Sequence, residues 1–255
     1  MIFDTHCHLN HPDLYQQIDE VMNRAKEVGV TKFLVAGWDK ETSLLAIKIA
    51  EQYDNVYAAI GFHPTEVYEL SENDYLEVMS NINHPKVIAV GEIGLDYHWE
   101  KDNNKQLLQQ KWFKKQIIFA NENHKPVIIH NRDAFLDCLD ILKEVTPTSS
   151  GVMHCFSGSV EFMHEVLKLG LYIGLDGPLT FSNAKTPKKV CKAVPLDKLL
   201  VETDSPYLAP HPLRGTMNEP KNNPLIIQEM AKIKELSVKE IEQVTFDNAC
   251  NLFHV

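Results

Sequence analysis

Ile2-Phe3-Asp4-Thr5-His6-Cys7-His8 opens the chain with an apolar pair and closes on two histidines one residue apart. Side chains alternate between the faces of an extended strand, so His6 and His8 project together and Cys7 faces away. Two imidazoles aimed at one point form a clamp for a divalent metal, because neutral imidazole is the commonest protein metal ligand. The pair alone says little in a chain with 12 histidines. Repetition gives it weight: short apolar runs that end in a potential ligand recur along the sequence.

Those runs are Ile2–Thr5, Lys32–Ala36, Val56–Ile60, Val87–Val90, Val127–Ile129, Gly151–Met153, Leu171–Gly174 and Leu199–Glu202. Amphipathic segments separate them near Asp13–Val28, Lys40–Gln52, Glu72–Asn81, Asn104–Asn123, Ala134–Glu144, Val160–Leu169 and Ala184–Ala193. Two more helical patterns follow, near Pro224–Lys234 and Val238–Phe253. Strands alternating with helices predict a parallel sheet, and eight such units predict a closed (β/α)8 TIM barrel of the α/β class. No glycine-rich dinucleotide fingerprint or phosphate-binding loop supports an open doubly wound sheet. Barrels of about 255 residues form one unit, so residues 1–255 are expected as a single domain.

Composition narrows the function classes. With 44% hydrophobic and 24% charged residues the chain is ordinary for a globular protein. No stretch approaches the roughly 20 apolar residues that span a bilayer. The start also lacks a secretory leader's basic and apolar regions. A cytoplasmic location without a membrane partner is therefore expected. Five scattered cysteines with no C-x-x-C pair exclude a disulfide framework and a thiolate zinc finger. A net charge of -10 weakens a purely binding role on nucleic acid. It weakens a phosphodiesterase less, since bound cations would supply local positive charge. Nothing in the sequence calls for an obligatory protein partner.

Barrel active sites sit at the carboxyl ends of the strands. Read there, the strands offer His6 and His8, His63 in Gly61-Phe62-His63-Pro64, Glu92, His130, His154 and Asp204. Four imidazoles (His6, His8, His130, His154) and two carboxylates (Glu92, Asp204) are the candidate metal ligands. They suit borderline cations such as Zn²⁺, Mn²⁺ or Fe²⁺. Six protein ligands are too many for one open catalytic zinc but suit two metals bridged by a carboxylate. Glu92, between the two histidine groups in chain order, is the natural bridge.

The motifs F-D-T-H-C-H, G-F-H-P, G-E-I-G-L-D, I-H-N-R-D-A, M-H-C-F-S-G, E-T-D-S-P-Y and R-G-x-x-N-E-P stand in the order seen in the TatD family. The chain resembles these metal-dependent hydrolases of the amidohydrolase superfamily, many described as deoxyribonucleases, from Phe3 to Asn251. The resemblance implies that His6, His8, Glu92 and Asp204 hold one divalent cation, and Glu92, His130 and His154 a second. The pair would come from Zn²⁺, Mn²⁺, Mg²⁺, Ni²⁺ or Fe²⁺. It implies that His63 contacts a scissile phosphate; the reading that follows is a phosphodiesterase acting on DNA or another nucleic acid, with cleavage from DNA ends. The stretch Ala209-Pro210-His211-Pro212-Leu213-Arg214 departs from the order of proline and basic residues common in the family.

The remaining expectations concern single side chains. Arg132 and Arg214 lie in rim loops, where a guanidinium fork suits a phosphate, although Arg132 could equally pair with Asp133 or Asp96. Asp204 is placed to accept the proton of the attacking water, so Asp204, Glu92, His63 and Arg132 form the expected catalytic group. Glu202 shares the face of Asp204 and would orient a ligand histidine. Asn218 and Glu219 would fix the loop after the last strand. Trp99 and Tyr97 offer stacking faces or ordinary loop packing. Cys7 and Cys155 are expected to face the outer helices. The rival function is an amide or ester hydrolase of the same superfamily, such as a D-aminoacyl-tRNA deacylase. A glutamate at the fourth strand, rather than a carboxylated lysine, favours the TatD reading.

Overall fold

The computed structural model describes residues 1–255. Its elements run β1 (Ile2–Cys7), α1 (Pro12–Tyr15), α2 (Ile18–Glu27), β2 (Val30–Ala36), α3 (Lys40–Gln52), β3 (Val56–Ile60), α4 (Glu72–Met79), β4 (Val87–Asp96) and α5 (Asn103–Glu122). They continue β5 (Val127–Arg132), α6 (Phe135–Glu144), β6 (Gly151–Met153), α7 (Val160–Lys168), β7 (Tyr172–Leu175), α8 (Lys185–Ala193), β8 (Leu199–Val201), α9 (Asn223–Lys234) and α10 (Val238–Phe253). The eight strands pair in parallel in sequence order, the topology of a (β/α)8 barrel.

Local chemistry explains the boundaries. Asp39 accepts the Thr42 N–H at 2.8 Å to start α3, and Ser237 with Glu240 forms the same reciprocal cap on α10. The single helix expected over Asp13–Val28 is instead two, because Gln17 leaves helical geometry at φ -130°, ψ 34°. The break lets α2 present Arg24 to Glu219, 2.8 Å away. β4 runs six residues past its apolar start, through Glu92 to Asp96. That extension is possible because Gly94, at φ 146°, carries no side chain. A Cβ there would stand 1.9 Å from the His130 carbonyl oxygen.

Apolar side chains fill two layers. Phe33, Val35, Ile60, Val90, Ile129, Ile173 and Val201 face the surrounding helices. Phe3, Leu34, Ala59, Ile128, Val152 and Leu200 pack together with Leu252 and Phe253 of α10. Ile128, Val152 and Leu200 precede His130, His154 and Glu202 by two residues each. One face of these strands therefore carries apolar filling at one end and polar groups at the other.

No ladder joins β8 to β1. Instead the Asp204 N–H donates to the His6 carbonyl at 2.9 Å and the His8 N–H to the Ser205 carbonyl at 2.8 Å. Beneath them, fully buried Asp4 accepts the Thr203 N–H at 3.0 Å and its hydroxyl at 2.6 Å. Burial pushes the Asp4 carboxyl up to about 7, against the lowering effect of those two bonds. Asp4→Ala would strand both Thr203 donors in the closed seam. We expect a loss of about 2–4 kcal/mol in denaturant unfolding. An unchanged midpoint would show that Asp4 does not hold the seam.

Candidate metal centre

The seam brings β1 and the segment after β8 together, and their side chains form one donor set. His6 Nε2 and His8 Nε2 lie 3.2 Å apart, and His8 Nε2 is 3.3 Å from Asp204 Oδ1. Glu92 Oε2 approaches His6 Nε2 at 3.3 Å and His8 Nε2 at 3.8 Å. Donors held about 2.0–2.1 Å from a tetrahedral zinc stand roughly 3.3 Å from one another, so this spacing fits a divalent cation. A second set lies on the other side of Glu92. Its Oε1 is 2.9 Å from both His130 Nδ1 and His154 Nε2, which are 3.4 Å apart. His63 Nε2 stands 3.7 Å from the same oxygen.

Surrounding groups aim these rings. His8 Nδ1 is 3.1 Å from the Ala36 carbonyl, so a proton there leaves Nε2 free to coordinate. His130 Nε2 is 3.1 Å from Asp96 Oδ2, leaving Nδ1 facing Glu92. His154 Nδ1 is 3.4 Å from Glu202 Oε1 but outside hydrogen-bond geometry. Glu202 is itself anchored by the Cys155 N–H at 2.5 Å. Gly174 makes room for it, since a Cβ there would meet Glu202 Oε2 at 2.5 Å.

The charges balance around Glu92. Burial opposes its ionisation, but His154, His130 and His6 outweigh that and hold the carboxyl well below its ordinary range. Burial likewise opposes charge on His154, yet Glu92 and Glu202 raise it well above the usual imidazole value. Loss of hydration, reinforced by His130, pushes His63 down to about 3, which leaves a neutral ring. A cation entering either set would displace protons and take over the role of the imidazolium.

The structure gathers His6, His8, Glu92, His130, His154 and Asp204 at one barrel rim, with donor atoms close enough to hold divalent cations. His63, expected at a substrate phosphate, also stands with Glu92 and His130 among the possible donors. Asp204 adopts the left-handed backbone at φ 54°, a strained geometry for a non-glycine residue. Arg132 makes no ion pair. Its guanidinium lies over the Trp99 ring, 5.4 Å from the centroid, at a cavity of about 680 Å³. Arg214 instead packs over Phe181 at 4.5 Å, away from that cavity. Asn218 does tie down the last loop, donating to the Thr203 carbonyl at 2.8 Å.

One expectation is corrected. Cys7 does turn away, its thiol directed to the Leu34 carbonyl at 3.6 Å. Cys155 does not: it lines the cavity. Strand alternation ends with β6 at Met153, and the left-handed backbone at Cys155, φ 43°, turns its side chain inward. Sequence reasoning also missed Asp96 as the partner of His130, treating it only as a partner for Arg132. The available signal was its spacing of four from Glu92 within one motif. Asp96→Ala should weaken cation binding in the second set by about 10–100-fold. Competition against a chromophoric chelator measures this, and unchanged affinity would remove Asp96 from the role.

The sequence profile of the family described as TatD related DNase matches residues 3–254. The uncharacterized metal-dependent hydrolase YabD of Bacillus subtilis (strain 168) is 44% identical over 256 residues, covering 100% of both chains. The uncharacterized metal-dependent hydrolase YcfH of Escherichia coli (strain K12) is 38% identical, covering 100% of this chain and 96% of that one. Among solved structures, the TatD homolog YJJV of Escherichia coli K12 superposes with a TM-score of 0.94. It is 31% identical, over 100% of this chain and 98% of that one.

Proposed function

The chain belongs to the TatD family of metal-dependent hydrolases, and from that premise we propose that it is a two-metal phosphodiesterase that shortens DNA from its ends. The observation that carries this reading is Glu92, which turns one carboxylate oxygen to each donor set. His6, His8, Glu92 and Asp204 would hold one cation, and Glu92, His130 and His154 the other. When bound, a cation pair supplies Lewis-acid stabilisation of a phosphoryl group and a water acidic enough to ionise near neutral pH.

The chain's own residues do the rest. Asp204 lines the cavity and is kept ionised, as His8 and the other imidazoles outweigh the effect of burial, so it can take a proton from the attacking water. Arg132 offers an unpaired guanidinium for bidentate contact with a phosphate. Trp99, 71% exposed and beneath that guanidinium, gives a nucleobase a stacking face. With a net charge of -10, attraction for a polyanion has to be local, and Arg132 with the bound cations would supply it.

The test uses wild-type protein stripped of metal and reloaded with Mg²⁺, Mn²⁺ or Zn²⁺ in turn. Each form is given end-labelled single-stranded DNA and, in parallel, a D-aminoacyl ester and an amide. We expect DNA to shorten from its ends, and Arg132→Ala to slow this about a hundredfold with its cations retained. Metal-replete protein that ignores DNA under every loading while cleaving the ester or amide would overturn the nuclease reading.

A further inference from the structure

Cys155, Asp176 and Asp204 each present a donor atom within 4.8 Å of the other two. Asp176 belongs to neither histidine set. It directly follows β7, is 4% exposed, and forms no ion pair; the one side chain that reaches it is the Cys155 thiol. Its Oδ2 is buried without a partner. A buried carboxylate oxygen left unsatisfied costs free energy that a ligand recovers on binding. Burial, reinforced by the nearby Glu202 and Asp204, pushes the Asp176 carboxyl well above its ordinary range, so a cation entering there would displace its proton. No lysine or arginine pairs with any of the three carboxylates; the ionic partners of Glu202 and Asp204 are histidines.

From this convergence we propose a third cation site, formed by Cys155 Sγ, Asp176 and Asp204, for a thiophilic divalent cation such as Zn²⁺. A thiolate with two carboxylate oxygens suits borderline metals, and three protein ligands with an open position match a site that exchanges with solvent. The opening exists, since Cys155 and Asp204 both line the cavity. Sulfur and oxygen bound to one tetrahedral zinc stand about 3.6 Å apart, so donors already within 4.8 Å of one another have at most about an ångström to close. Side-chain rotation of Cys155 and Asp176 would provide that closure without disturbing the Cys155 N–H bond to Glu202. The site shares Asp204 with the proposed dinuclear centre but does not depend on any substrate.

Cobalt(II) titration of metal-free protein tests the proposal. The histidine and carboxylate sets contain no thiolate, so only the third site can produce a thiolate-to-cobalt charge-transfer band in the near ultraviolet. We expect that band to rise with a third equivalent of cobalt, to vanish in Cys155→Ser, and to persist in Cys250→Ser. Asp176→Asn should weaken binding of the third equivalent at least about tenfold. Absence of the band in cobalt-saturated wild type, its survival in Cys155→Ser, or unchanged affinity in Asp176→Asn would overturn the site. The wild-type spectrum decides the matter even where a variant does not fold. A protein that shows the band but leaves DNA intact would keep this site and lose the nuclease reading.

Discussion

Glu92→Ala is expected to slow DNA-end cleavage by at least about 10³-fold, or about 4 kcal/mol at the barrier. It should also lower cation content more than any single histidine substitution does. Each histidine belongs to one donor set, whereas Glu92 turns Oε2 toward His6 and His8 and Oε1 toward His130 and His154. Its loss removes a donor from both sets together. It also leaves imidazoles facing one another in a buried space, with no carboxylate between them. Elemental analysis of the purified variant, beside His6→Ala and His130→Ala, checks the ranking. Two cations per chain with near-normal turnover would show that Glu92 does not bridge.

Metal removal should have the second large effect, on stability. Cations that bind only the folded chain stabilise it by about 2.7 kcal/mol each at a hundredfold excess over Kd. For a domain of this size each kcal/mol corresponds to roughly 2–4 °C in Tm. Chelation is therefore expected to lower Tm by roughly 10–20 °C when a pair is lost, and reloading should restore it. Stripping should also become easier as pH falls, because the imidazoles take up protons when cations leave. His154, raised well above the usual imidazole value, would hold its proton first. Thermal unfolding followed by circular dichroism provides the measurement. Identical midpoints for loaded and verified metal-free protein would show that the cluster holds no stabilising cation.

Much of the fold was legible because buried parallel strands read as apolar runs that helices interrupt. Val56–Ile60, Gly151–Met153, Lys40–Gln52 and Val238–Phe253 have the same limits in sequence and structure. Convergence of the six ligand candidates followed from one rule, that strand ends share a rim. Legibility failed where a rule stopped applying. Two glycines disguise the continuation of β4 to Asp96, and alternation cannot reach Cys155 once β6 has ended and the backbone turns left-handed. Asp176 stands in none of the recurring motifs. Its significance lies in what surrounds it, and no periodicity along the chain encodes that.

The seam between the first and last strands also sets when the donor set can come together. Asp4 and Thr203 are separated by 199 positions yet bonded to one another, and the same junction unites His6 with Asp204. The histidine half of the clasp leaves the ribosome 199 positions ahead of its counterpart. Contacts of such long range form late in folding. A nascent or truncated chain that stops short of Thr203 thus carries the histidines without Asp204, and the donor set is whole only once the barrel has closed.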